Sequence, residues 1–233
     1  MSLPTAGAGE AGHWVVFDLG ETLVCEDRNW ERWAMHLDVS PVTFAAALGA
    51  VIAERRPHTD VFSYFREDFD FERERRMKAD AGLPWHLDEE DLYPDALPVL
   101  TALRERGYGL AVMANQPLEA APLLARLPVD EVATSAEWGV AKPDPSFFRR
   151  ICATLGAEPG HVAYVGDRVD NDVLPAKACG MTTVHVRRGP WGLLHADWPE
   201  AREADLRVGG LDGLADKLVQ QGFAPTAVGG VSA

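Results

Sequence analysis

Six short apolar runs, rich in β-branched residues and parted by helix-like stretches, constrain this chain more than any other feature. They are WVVFDL (14–19), GLAVMAN (109–115), EVATSA (131–136), HVAYVGD (161–167), TTVHVRR (182–188) and LRVGG (206–210). Runs this continuously apolar suit strands buried on both faces. From residue 94 onward the intervening segments read as helices: PDALPVLTALRERG, LEAAPLLARL, DPSFFRRICATLG, DNDVLPAKACG and LDGLADKLVQQG. Several open on Pro or Asp and close at Gly, as helix ends do. Strand and helix in alternation imply an α/β fold, a doubly wound, Rossmann-like parallel sheet with helices on both faces.

Residues 26–92 break the rhythm with almost no strand signal. NWERWAMHL, PVTFAAALGAVIAERR and VFSYFREDFDFERERRMKADAG read as helices instead. A structureless loop of roughly 65 residues would be unusual, so the segment is expected to be a small helical cap. It is inserted just after Asp18, over the carboxyl end of the first strand, where open α/β sheets bind ligands. The expected division is a core of 14–25 and 93–222, a cap of 26–92, and disordered ends at 1–13 and 223–233.

Charge narrows the partners. Lys plus Arg is 22 and Asp plus Glu is 36, a net charge of −14. An acidic chain without a basic stripe argues against nucleic acid and anionic membrane surfaces. No apolar run approaches the ~20 residues that span a bilayer. The N-terminal MSLPTAGAGEAGH has neither the basic start nor the apolar stretch of a signal peptide. Cys25, Cys152 and Cys179 are odd in number and far apart, which fits a reducing cytoplasm. A monomer and a homodimer fit the sequence equally.

Chemistry gathers where strands end. Asp18 closes the first run, MANQ (113–116) the second, and YVGDRVDND (164–172) the fourth; VAKPDPSFF (140–148) places Lys142 before a helix. Asp18, Asp167 and Asp172 could make a hard-oxygen site for Mg²⁺. Lys142 could neutralise an anion and keep an aspartate ionised. Phosphoryl transfer through an aspartyl phosphate needs such a carboxylate, lysine and divalent cation. Helices starting near Asn115 and Pro143 would add N–H donors for a phosphate.

These four segments, in this order, resemble the haloacid dehalogenase superfamily, in the subgroup with a helical cap between the first two motifs. The resemblance runs over about residues 14–215 and includes LYPDALPVLTALRERG (92–107) after the cap. It implies that Asp18 is the phosphorylated nucleophile and a Mg²⁺ ligand. It implies a main-chain carbonyl ligand at Gly20, a phosphoryl contact at residue 114, the motif lysine at Lys142, and a metal-binding pair in Asp167 and Asp172. Two positions depart from the pattern. Gly20 stands where the acid/base aspartate usually is, and Ala114 where a Ser or Thr hydroxyl is. A missing acid/base costs ~10²- to 10⁴-fold in rate. A missing preorganised donor costs ~10²- to 10³-fold. Glu21 is the nearest replacement for the first and Asn115 for the second.

The leading expectation is a Mg²⁺-dependent phosphatase of a small phosphorylated metabolite. A substrate with a good leaving group would need little acid help. The alternative is a catalytically impaired phosphate-binding or regulatory protein on the same fold, motivated by Gly20 and Ala114. Dehalogenation in this family does not use the metal, so the intact GDRVDND argues against it. Phosphonate cleavage uses a cap lysine, for which only Lys78 is offered. In the cap, Arg66, Arg73, Arg75 and Arg76 read as a solvated helix face. Trp30, Trp33 and Tyr64 read as cap core, and His13, His36 and His58 have no ligand partners at useful spacing.

Overall fold

Side chains alternate across a strand, so an apolar run buried on both sides must meet two separate cores. The computed structural model, which describes residues 12–225, shows this arrangement. Six strands form one sheet: β1 (Trp14–Phe17), β2 (Gly109–Ala114), β3 (Glu131–Thr134), β4 (Val162–Gly166), β5 (Thr182–Val186) and β6 (Leu206–Val208). Their order is β3-β2-β1-β4-β5-β6, and every pairing is parallel. From β1, Val15 and Phe17 enter one core with the helices Ala96–Glu105 and Leu214–Gln220. Val16 enters the other, against Phe147, Phe148 and Ile151 of the helix Pro145–Leu155. β1 lies between β2 and β4, so strand order reverses at its carboxyl end, the place where such sheets open a crevice.

Above that end stand three helices: Asp27–His36, Pro41–Ala53 and Phe71–Asp80. They share an apolar cluster that includes Trp33, Phe44, Leu48 and Phe62, and Trp191 of the core joins it, its ring 5.9 Å from that of Trp30. Trp191 belongs to the helix Gly189–His195, which follows β5. The segment VFSYFREDFDFERERRMKADAG is not one helix. A 3₁₀ stretch (His58–Tyr64) ends before residue 65, and a new helix starts where the Asp70 side chain accepts the Arg73 N–H at 2.8 Å. LEAAPLLARL is likewise reduced to the short helix Ala121–Leu124, with Pro122 in its first turn. Among the described residues no single helix is long and apolar enough to cross a membrane.

The ordered chain reaches past the expected limits at both ends. Phe223, assigned to the disordered tail, is buried. Its ring stacks on Tyr108 at 5.9 Å between centroids and meets His13 edge-on at 4.8 Å. Tyr108 Oη donates to the Phe223 carbonyl at 2.5 Å. One apolar residue in a Gly- and Ala-rich tail thus closes the base of the sheet. The remainder of the expected disordered ends, 1–11 and 226–233, lies outside the described residues. Phe223→Ala should cost about 3 kcal/mol, as removal of a buried phenyl ring does, read as a lower urea midpoint.

Candidate active site

Three strand ends and one loop build the site. β1 delivers Asp18, whose N–H donates to the Val165 carbonyl at 2.8 Å and so stays in the frame of the sheet. The chain then turns at once: the Leu19 carbonyl accepts the N–H groups of Leu23 and Val24 at 2.9 and 3.0 Å. Gly20 lies inside this turn, and Glu21 takes a left-handed conformation with φ 53°. β4 ends on Gly166, followed by Asp167 and, within a π-helical turn, Asp172. A Cβ on Gly166 would lie 2.3 Å from Asp172 Oδ2, so only glycine lets that carboxylate fold under the strand end.

Lys142 joins these pieces. Its Nζ donates to Asp18 Oδ1 at 2.7 Å and to Asp172 Oδ1 at 2.5 Å, with the lysine side chain 1% exposed. Its position comes from Asn115, whose carboxamide clamps the Lys142 main chain. Asn115 Nδ2 donates to the Lys142 carbonyl at 2.9 Å, and Asn115 Oδ1 accepts the Lys142 N–H at 2.8 Å. The side chain considered for phosphate contact therefore holds the lysine, while Asn115 still lines the cavity. Ala114 closes β2 fully buried and offers only a methyl group.

Electrostatics follow from crowding carboxylates in a dry place. Burial pushes Asp18 up to about 6; Lys142 pulls it down and Asp172 raises it again. Burial opposes the charge of Lys142, but Asp172 and Asp18 outweigh it and hold the lysine well above its ordinary value. Asp167 is driven well above the usual carboxylate range by burial, then by Asp172 and Asp18. Its Oδ2 is buried without a hydrogen-bond partner among the described residues. Oxygens of Asp18, Asp167 and Asp172 lie within 4.8 Å of one another. Three carboxylates facing one ammonium, with an oxygen left bare, fit a hard divalent cation. Asp172 already accepts from Lys142 and, through Oδ2, from the Arg168 N–H at 2.9 Å, which leaves Asp18 and Asp167 the freer donors. Two buried histidines steady the loop: His185 Nε2 contacts the Asp167 carbonyl at 2.9 Å, and His195 Nδ1 accepts the Val169 N–H at 3.1 Å. Burial pushes His195 down to about 4, so its ring is neutral and free to accept.

Glu21 lines the cavity, but its carboxylate is already engaged. Its Oε2 accepts from Tyr93 Oη at 2.6 Å and its Oε1 from the Glu26 N–H at 3.0 Å. Tyr93 lies under the Arg188 guanidinium, which pairs with Asp95 and donates to the Thr22 carbonyl at 3.1 Å. This network pins the turn after β1. Glu26 carries no motif signal in the sequence. It is partly buried beside Asp18, and burial, then Glu21 and Asp18, push its carboxyl up to about 8. The cavity above measures about 830 Å³. Asp18, Lys142 and Asp167 line it, and Trp30, Trp33, Phe62, Phe71, Trp85 and Trp191 supply aromatic walls. Cap arginines divide: Arg75 lines the cavity, while Arg66 and Arg73 pair with the buried Glu74. Lys78 is buried against Leu83 O and the Trp33 ring.

Known proteins carry the same pattern. A family model for haloacid dehalogenase-like hydrolases matches residues 13–180. A glyceraldehyde 3-phosphate phosphatase of Methanopyrus kandleri is 41% identical over 104 residues, 42% of this chain and 45% of that protein. A phosphoserine phosphatase of Thermus thermophilus is 38% identical over 127 residues, 52% of this chain and 48% of that protein. The chain thus spans about half the length of the curated relatives it matches. A crystal structure of a predicted phosphoglycolate phosphatase from Haemophilus somnus superposes with a TM-score of 0.66 at 22% identity, over 89% of this chain and 97% of that one. A dehalogenase structure superposes with a TM-score of 0.64 at 20% identity, over 90% and 98%. At such identities the two structures speak to fold alone.

Lys142→Met would leave two buried carboxylates without a counter-charge. It should cost about 3–5 kcal/mol at pH 7. Without the lysine the folded-state pKa of Asp18 rises further above about 6, so the loss should shrink as pH falls toward 6 and below, where the carboxyl is protonated in variant and parent alike. Urea midpoints of variant and parent across acidic to neutral pH read both effects.

Proposed function

Because this chain belongs to the haloacid dehalogenase-like hydrolase family, we propose that it is a Mg²⁺-dependent phosphatase of a small phosphorylated metabolite, acting through an aspartyl phosphate on Asp18. The observation that carries this reading is the Lys142 ammonium held between Asp18 and Asp172, beside the unpartnered oxygen of Asp167. Asp18 attacks phosphorus. Lys142 keeps the nucleophile ionised and offsets the charge of the incoming phosphate, which the net charge of −14 would otherwise repel. Asp18, the Gly20 carbonyl, Asp167 and Asp172 are the groups that would hold Mg²⁺. When bound, the ion supplies charge stabilisation to the phosphoryl oxygens.

The phosphatase names of the relatives support a small phosphomonoester. The aromatic walls support an organic group with an apolar face, shielded from water beneath the cap. A phosphate-binding protein without turnover is the second reading, favoured by the methyl group of Ala114 where a hydroxyl donor would serve.

Hydrolysis of p-nitrophenyl phosphate with and without Mg²⁺ separates the two. Turnover should need the metal, stop with EDTA, and fall to background in Asp18→Asn. Absence of turnover with Mg²⁺ still bound would establish the binding protein instead. Between two unactivated esters, 2-phenylethyl phosphate should show a lower KM than phosphoglycolate, and Trp30→Ala should narrow the gap.

A further inference from the structure

Gly20 removes a carboxylate from the turn after β1, yet another carboxyl occupies the space. A Cβ on Gly20 would lie 2.8 Å from Glu26 Cδ, 2.8 Å from its Oε2 and 3.2 Å from its Oε1. The end of the Glu26 side chain thus fills the volume into which a side chain at residue 20 would grow. Gly20 and Glu26 are two halves of one packing solution: any larger residue at 20 requires Glu26 to move. Glu26 lines the cavity together with Asp18 and Lys142.

The carboxyl is positioned from two sides. Gln116, just beyond β2, directs Nε2 to Glu26 Oε1 at 3.4 Å. The Glu26 N–H is tied to Glu21 Oε1 at 3.0 Å, and the Glu26 carbonyl accepts the N–H groups of Asn29 and Trp30, which anchors it to the start of the first cap helix. Glu21 also lines the cavity, but its two oxygens are taken by Tyr93 and the Glu26 N–H, and through the latter it positions Glu26.

We propose that Glu26, reaching in from the base of the cap, is the general acid and base of the reaction at Asp18. The assignment rests on the phosphatase reading and adds the residue that reading lacks. In the first step Asp18 forms a bond to phosphorus, the bond from phosphorus to the ester oxygen breaks, and that oxygen takes the proton of the Glu26 carboxyl. In the second, a water gives its proton to the Glu26 carboxylate and attacks phosphorus. The bond to Asp18 breaks, releasing phosphate and restoring both carboxyl groups. One ester and one water become one alcohol and one phosphate.

The test uses the full chain, Mg²⁺ and two esters: 2-phenylethyl phosphate, whose alcohol leaves only with a proton, and 2,4-dinitrophenyl phosphate, whose phenolate leaves without one. Glu26→Gln should lose ~10²- to 10⁴-fold in kcat on the first. On the second it should form phosphoenzyme within ~10-fold of the parent rate, and the adduct should accumulate, because activation of water also needs the carboxylate. Acid quench and intact mass detect it. Moving the carboxylate back, as Gly20→Asp with Glu26→Ala, should regain at least ~10-fold in kcat over Glu26→Ala alone. Parent-like turnover of 2-phenylethyl phosphate by Glu26→Gln would overturn the assignment and leave the phosphatase standing. Equal losses in the rate of phosphoenzyme formation on both esters, with no gain in the double variant, would also overturn it, because they mark a structural lesion. A parent protein inert on both esters with Mg²⁺ bound would overturn the phosphatase reading and the acid with it.

Discussion

One ammonium group between two buried carboxylates sets the terms for the rest of this molecule. Lys142 reaches Asp18 and Asp172 from a loop that belongs to neither of their strands. Removing three charges from water is costly, and their mutual attraction repays it only when geometry is held firmly. The holding is visible. The Asn115 carboxamide fixes the lysine main chain, the Arg168 N–H fixes Asp172, and the sheet fixes Asp18. Strand order reverses at β1, so β2 and β4 flank Asp18 and bring these supports to one point. The arrangement still leaves an excess of negative charge, seen in the raised carboxyl of Asp167 and its unpartnered oxygen. A site built this way invites a second cation.

Polar groups that look catalytic by position divide into those that face the cavity with a free atom and those consumed in support. Glu21 and Asn115 stand beside key positions in sequence but spend their side-chain donors and acceptors on Tyr93, Glu26 and the Lys142 main chain. Buried polar atoms need partners, and the nearest ones are main-chain or neighbouring groups. Proximity in sequence therefore favours structural employment unless the chain turns the side chain toward open space. Glu21 does line the cavity, yet its carboxylate is held there by Tyr93 and the Glu26 N–H.

This division explains what the sequence disclosed. The six strands and the parallel sheet were legible because continuous apolar runs have few other places to go. The meeting of Asp18, Lys142, Asp167 and Asp172 at one point was legible because each falls at a strand end or before a helix, and these points converge in a parallel sheet. The break between residues 58 and 80 was hidden, because helix periodicity does not register a single capping aspartate such as Asp70. The burial of Phe223 was hidden by its small-residue neighbours. Glu26 was hidden most completely, since nothing in the spacing from Gly20 says that six residues of turn return a carboxyl to the same volume. One signal was available: a glycine where a carboxylate is expected asks which nearby acidic side chain is long enough to fill the gap.

Placing a carboxyl on the cap side of the crevice has a physical consequence. A carboxylate at residue 20 would ride on the turn after β1, inside the sheet's own frame. Glu26 instead caps the first helix of the insert through its carbonyl, while Gln116 of the core holds its side chain. The carboxyl is thus suspended between two bodies, and its distance from Asp18 depends on how the cap sits on the core. The aromatic walls divide in the same way, with Trp33 and Phe62 from the cap facing Trp191 from the core. Under the proposed function, an organic group packed against those walls would touch cap and core at once and so bear on the position of Glu26. Under the proposed assignment of Glu26, binding energy gathered far from phosphorus would place the proton donor, which is how remote contacts come to favour a transition state over a bound substrate.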